Sequence, residues 1–233
     1  MKSNKKIIDL IIIGAGENGS IVIDIIDEIN TESKRYNIIG LLDDDPFKIG
    51  KNFYGFPILG SIGDWNKYPN VWFTSPLITS PKKNHLKKLV VNREGIPDER
   101  FVNIIHPGVR VKYSVIGTAN LITKGVVLFP GSKIGNHCYI SSNVLIGPNT
   151  VIEDYVNISN SSSIQGKTKI REGAYIGAGS RLIGNIEIGK WSIVGIGSNV
   201  LHSNNEYDII VGNPAKIINK NDIAKEYELR KWE

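Results

Sequence analysis

Chemistry in this 233-residue chain rests on few side chains: four histidines, one cysteine and a run of acids. The clearest constellation pairs Gly14-Ala15-Gly16-Glu17-Asn18-Gly19 with Asp43, Asp44 and Asp45. A G-x-G-x-x-G turn lets backbone N–H groups at a helix start surround a phosphate. An acid after the next strand then takes a sugar hydroxyl or a base. Gly14, Ala15, Gly16, Asn18 and Gly19 are therefore candidate phosphate-binding residues, with Asp43 and Asp44 as acidic partners. Histidine is the usual general base near neutral pH. His85, His106, His137 and His202 qualify by type only.

The elements around the turn support that reading. Asp9–Ile13 is a buried-strand run, and Ile21, Ile23, Ile25 and Ile26 mark an apolar-periodic helix. Tyr36–Leu42 reads as a second strand, so the order is β-α-β with the turn at its first junction. About a hundred residues suffice for one small sheet, not for two mononucleotide-binding halves. Nothing after them reads as a hydride-transfer domain, so NAD is not expected. Pro81–Gly95 reads as another helix and Phe101–Ile105 as a last strand before His106-Pro107.

The second half carries an internal repeat. Every sixth residue from Ile116 to Val200 is aliphatic, fifteen in succession. Four places after each, the residue is mostly small or β-branched, as at Val126, Ser132, Cys138, Val144 and Thr150. This period suits neither a helix nor a hairpin sheet. It suits a β-solenoid in which three hexads close one triangular coil and the aliphatic residue fills the prism. Fifteen hexads make five coils, stacked as parallel strands ~4.8 Å apart. Cys138 falls on an inward small position and reads as packing, not as a nucleophile.

Composition bounds the rest. A single cysteine excludes an internal disulfide framework. No run approaches the roughly 18 apolar residues of a membrane span. Lys2, Lys5 and Lys6 before Ile7–Ile13 look a little like a signal peptide, but Asp9 interrupts the apolar run, so a cytoplasmic protein is expected. The net charge of +5 is carried by the stretch from His106 to His202, which has nine Lys/Arg and four Asp/Glu. A basic second half suits an anionic ligand such as a phosphorylated cofactor. It is too diffuse and too poor in aromatics for nucleic acid.

The aliphatic-Gly-x-x-small-x hexads resemble the left-handed parallel β-helix of the hexapeptide-repeat acyltransferases, and Val211-Gly212-Asn213-Pro214-Ala215-Lys216 is similar to that family's closing G-x-P-A-K element. With a Rossmann-like unit in front, the whole chain resembles the bacterial nucleotide-sugar acyltransferases of sialic-acid O-acetyltransferase and bacillosamine N-acetyltransferase type. The stretches Ile39–Pro46 and Phe56–Gly60 are close to that family's wording. The resemblance implies an α/β domain over 1–105, a left-handed β-helix over 106–218 and a C-terminal helix over 219–233. It implies a homotrimer with sites in the clefts between prisms. It also implies acetyl-CoA as acyl donor, no metal, and transfer to a nucleotide-linked amino sugar in surface-glycan biosynthesis. The turn departs from the family at Glu17-Asn18, where Gly-His is usual. A carboxylate beside a phosphate is unfavourable unless it points away.

Acyl transfer from a thioester needs a base for the acceptor's proton and donors for the oxyanion. In the resembling family the base is a His with an acid beside it. Those places are Pro148 and Asn149 here, and neither can act as a base near neutral pH. The family's second His falls at Asn157, whose amide can still donate to an oxyanion. The resemblance places the cofactor along Asn157, Gly166, Ala178, Gly212 and Lys216. His137 is the alternative base, reachable only if a neighbouring prism meets it. Otherwise it is a solvated turn residue. The γ-class carbonic anhydrases share the solenoid but need three His around zinc; only His137 and His202 are candidates here, 65 residues apart. Two function classes stay open: an acyltransferase with an altered base, or a catalytically silent module binding nucleotide sugar and CoA.

Overall fold

The computed structural model describes residues 7–77 and 81–229. Lys2, Lys5 and Lys6, and residues 230–233 of the expected C-terminal helix, lie outside the described residues. The first unit is a five-stranded sheet of order β3-β4-β2-β1-β5, from β1 (Ile8–Ile13), β2 (Tyr36–Leu42), β3 (Asn52–Phe53), β4 (Phe56–Gly60) and β5 (Trp72–Thr74). All neighbours are parallel except the β3–β4 hairpin. Alternation splits the apolar run of β1 between two cores. Leu10 and Ile12 pack with Val22, Ile23 and Ile26 of helix α1 (Glu17–Glu32). Ile11 and Ile13 pack on the other side with Ile62, Phe73, Ile96 and Phe101.

The solenoid follows the six-residue period. Its two-residue strands form three parallel sheets, each strand pairing with the one 18 residues later, as Ile134 with Ile152 and Ile152 with Ile170. The first face runs through Lys133–Ile134, Val151–Ile152 and Lys169–Ile170. The second runs through Tyr139–Ile140, Asn157–Ile158 and Tyr175–Ile176, and the third through Leu145–Ile146, Ser163–Ile164 and Arg181–Leu182. The inward aliphatic residues and the small residues between them form one continuous core, Cys138 included. Each fully buried Ile contributes roughly 1.5–3 kcal/mol, so the column of them holds the prism together.

Every corner has one residue with positive φ, three places past the aliphatic residue. The first–second edge carries Ala119, His137, Tyr155, Gly173 and Trp191; the third–first edge carries Gly131, Asn149, Lys167 and Asn185. The sequence alone shows the aliphatic period but not this left-handed one, because Tyr, Trp and His are poor markers of it.

Two boundaries differ from expectation. The strand expected at Phe101–Ile105 is divided: Phe101 bridges to Phe73, whereas Ile104–Ile105 already pairs with Leu121–Ile122 of the second face. The helix expected over Pro81–Gly95 is a 3-10 turn, Pro81–Lys83, followed by α2 (His85–Glu94), which ends at Gly95 with φ 62°. At the far end, Asp208–Gly212 and Ala215–Lys220 form an antiparallel hairpin that extends the second-face sheet, and α3 (Asp222–Leu229) follows. No helix of the described residues is long and apolar enough to cross a membrane.

Candidate active site

The glycine turn builds a cleft of about 160 Å³ whose wall includes Gly14, Gly16, Asn18, Gly19, Asp43 and Lys48. Gly19 is glycine by necessity, since a Cβ there would sit 2.6 Å from the carbonyl oxygen of Gly14. That close approach seats α1 on the turn. The helix has no side-chain cap, and the amides of Glu17 and Asn18 have no intrahelical acceptor, as at any helix start. Glu17 itself is exposed and outside the cleft wall, so its carboxylate does not oppose an anion there.

The acidic pair is engaged within the fold. Asp43 is largely buried and already occupied. Its carboxylate accepts the Ala15 N–H at 2.7 Å, the Asp45 N–H at 2.9 Å and the Lys48 ammonium at 3.1 Å. Burial alone would raise its pKa; the amides of Asp45 and Ala15 and the Lys48 charge outweigh that and hold it below the usual value. Ala15 is therefore a partner of Asp43, and its N–H is not free for a phosphate. Asp44 turns away altogether, accepting the Ile62 N–H at 2.9 Å and pairing with Arg93 at 2.6 Å. Sequence reasoning missed Lys48, whose Nζ also reaches the Ala15 carbonyl at 3.2 Å. It puts a cation in the wall of the glycine-turn cleft, and its signal was a lysine five residues past Asp43.

On the solenoid, Pro148 and Asn149 are exposed on the third–first edge. Gly166 lies one coil further along that edge, against the Pro148 ring, and the Lys167 N–H donates to the Pro148 carbonyl at 2.9 Å. Asn157 sits elsewhere, in the middle of the second face, in register between Tyr139 and Tyr175. It is only 3% exposed, and its carboxamide oxygen is buried without a partner. Ala178 is on the second–third edge, and its carbonyl accepts the Gly197 N–H at 2.9 Å. Gly212 and Lys216 belong to the terminal hairpin, which continues the second face. In a triangular prism one edge and the face opposite it cannot meet. Pro148, Asn149 and Gly166 thus share one edge, while Asn157, Gly212 and Lys216 lie on the opposite face with Ala178 at its border. A single chain does not bring the two groups together.

His137 is not a solvated turn residue; it is 1% exposed at the junction of the two domains. Its ring stacks on Tyr155 at 5.0 Å, meets Phe101 edge-on, and its Nε2 lies 3.0 Å from Asp98. Burial lowers its pKa, the nearby Lys87 charge lowers it further, and Asp98 opposes both. Lys87 is fully buried and donates to the His137 carbonyl at 2.7 Å; burial pushes its pKa down to about 8. Asn84 donates to the carbonyls of Tyr155 and Gly173, and Asn221 to that of Trp191. Four of the five corner carbonyls of the first–second edge thus dock α2 and the start of α3. None of this was legible as spacing. His106 pairs with Glu28 at 2.6 Å, His85 is buried, and His202 is exposed. Burial pushes the Cys138 thiol up to about 12, which makes it inert.

The class these features define is a Rossmann-like domain followed by a left-handed parallel β-helix. Residues 9–75 match the model of the PglD N-terminal domain. Among solved structures, the chain is similar to a His-to-Asn variant of perosamine N-acetyltransferase from Caulobacter crescentus, in complex with CoA and GDP-perosamine. The TM-score is 0.79 at 21% identity, covering 94% of this chain and 100% of that one. It is similar to the acetyltransferase domain of PglB from Neisseria gonorrhoeae in complex with acetyl coenzyme A, with a TM-score of 0.79 at 22% identity over 91% and 100%. WeeI from Acinetobacter baumannii gives a TM-score of 0.74 at 23% identity over 91% and 100%. Comparison with curated protein sequences gives no match. The family resemblance read from the sequence is borne out by the N-terminal domain and by the fold of the whole chain.

Proposed function

We propose that this protein is an acetyl-CoA-dependent acyltransferase that modifies the amine of a nucleotide-linked amino sugar, in the cytoplasmic stage of bacterial surface-glycan assembly. The observation that carries the reading is a cleft at the glycine turn with Lys48 in its wall, on a fold shared with the solved acetyltransferases; the solenoid residues that the resemblance assigns to the ligands fall on one edge and on the face opposite it. The nucleotide diphosphate lies at the start of α1 beside Lys48. CoA lies along the second face, past Asn157, Ala178 and the Gly212–Lys216 segment, with the local positive charge favouring its phosphates. The split requires two prisms side by side, and a closed homotrimer supplies three equivalent clefts. Light scattering that gives a monomer at micromolar concentration would refute the shared cleft.

In this scheme the amine attacks the thioester carbonyl, a C–N bond forms, and the C–S bond breaks as CoA leaves with the pair of electrons. The side-chain N–H of Asn157 donates a hydrogen bond to the oxyanion. Pro148 and Asn149 offer no proton acceptor, so the amine must arrive unprotonated. The test is CoA release by purified protein against a panel of UDP-, dTDP- and GDP-linked amino sugars. Release with at least one supports the reading. Tight binding of nucleotide sugar and CoA with no release would favour a silent binding module, the reading that Pro148 and Asn149 themselves support.

A further inference from the structure

The loop after β2 holds an aromatic ring that the fold does not use. Phe47 is 80% exposed, although the loop carrying it is closely hydrogen-bonded. The Asp45 N–H donates to Asp43 at 2.9 Å and the Phe47 N–H to the Asp45 carboxylate at 3.0 Å. The Lys48 N–H donates to the Asp45 carbonyl and the Lys51 N–H to the Lys48 carbonyl, each at 3.0 Å, and the Gly50 N–H to the Ile58 carbonyl at 2.9 Å. The next residue, Lys48, is fixed in the cleft wall by Asp43 and the Ala15 carbonyl. A lone exposed Phe is ordinary, but this one stands on an immobilised turn next to the residue that marks the phosphate cleft. In β-α-β nucleotide sites the phosphates lie at the helix start, the ribose at the end of the second strand, and the base further out. Here the chain beyond the end of β2 is this loop.

Resting on the nucleotide reading above, we propose that Phe47 is the stacking platform for the nucleobase of the substrate. A ring has no donor or acceptor with which to tell bases apart, so Phe47 supplies affinity for any nucleoside diphosphate and no preference among them. Stacking of one base on an aromatic side chain is worth roughly 5- to 150-fold in affinity.

The test is titration of the full-length protein with UDP, GDP and inorganic pyrophosphate. Phe47→Ala should weaken UDP and GDP by a similar factor within that range, leave pyrophosphate unchanged, and leave the melting temperature unchanged, because the residue is largely exposed. Phe47→Trp should keep nucleotide affinity, and its added indole emission should be quenched by UDP and GDP but not by pyrophosphate. Equal nucleotide affinity in wild type and Phe47→Ala overturns the proposal. So does a loss shared by pyrophosphate, which would assign binding to the loop's backbone, or a Phe47→Trp protein whose emission ignores the nucleotide. A wild type that binds neither nucleotide overturns the nucleotide reading itself, a result distinct from these.

Discussion

Gly173 sits on the edge where the two domains meet, and replacing it with Ala tests how that edge is packed. Its φ is +67°, and a Cβ built there would lie 2.0 Å from the six-membered ring of Trp191. Trp191, 1% exposed, occupies the space one coil below Gly173 while His137 and Tyr155 stack above it. Two effects add in Gly173→Ala. A left-handed conformation costs a non-glycine residue roughly 1–2 kcal/mol, and overpacking against a fixed indole costs about 1–3 kcal/mol. The sum, about 2–5 kcal/mol, should lower the melting temperature by roughly 4–20 °C for a chain of this size. Gly179 is the control. It has the same φ of +67° on another edge, with nothing within 4 Å of its Cβ position. Gly179→Ala should therefore lose only the conformational part, roughly 1–2 kcal/mol. Guanidinium unfolding followed by tryptophan emission would measure both. Equal losses from the two variants would refute the packing argument, because the indole would then have moved aside at no cost.

Lys87 makes stability depend on alkaline pH. Its folded pKa of about 8 lies below the 10.5 of a free lysine, so between those values the unfolded chain binds more protons and stability rises with pH. Its contribution should be about 3 kcal/mol, opposed above about pH 9 by Cys138, whose raised pKa makes stability fall with pH; the difference between wild type and Lys87→Met isolates the lysine, and identical pH profiles for the two would contradict the burial argument. The rate of acyl transfer should climb with pH until the acceptor amine's own pKa is passed. Pro148→His with Asn149→Asp should raise it at neutral pH, toward the about 100- to 10,000-fold that a positioned base provides. A smaller gain is tolerable because proline fixes its own backbone angle; no gain at all, with CoA and nucleotide sugar still bound, would place proton transfer elsewhere. Lys216→Glu should weaken CoA binding measured by calorimetry at low salt, and unchanged affinity would move the CoA phosphates away from the terminal hairpin.

Much of the fold is local, and the chain spells it out. The column from Ile116 to Val200 needs only its period to announce the prism, because each hexad repeats the same inward requirement. The glycine turn is legible for a similar reason: Gly19 leaves room for the Gly14 carbonyl, a demand that no other residue meets. What spacing could not show is which polar groups are consumed by the fold. Asp43 and Asp44 are adjacent in sequence, yet one holds the Ala15 amide and Lys48 while the other faces Arg93, because successive residues leaving a strand point in opposite directions. His137 looked like a surface turn residue until α2 and Asp98 covered it, since no hexad encodes what packs on its corner. The division of Pro148 from Asn157 is likewise a property of the closed triangle. Nine residues apart along the chain, they stand on an edge and on the face opposite, and that distance exists only once the coil has closed.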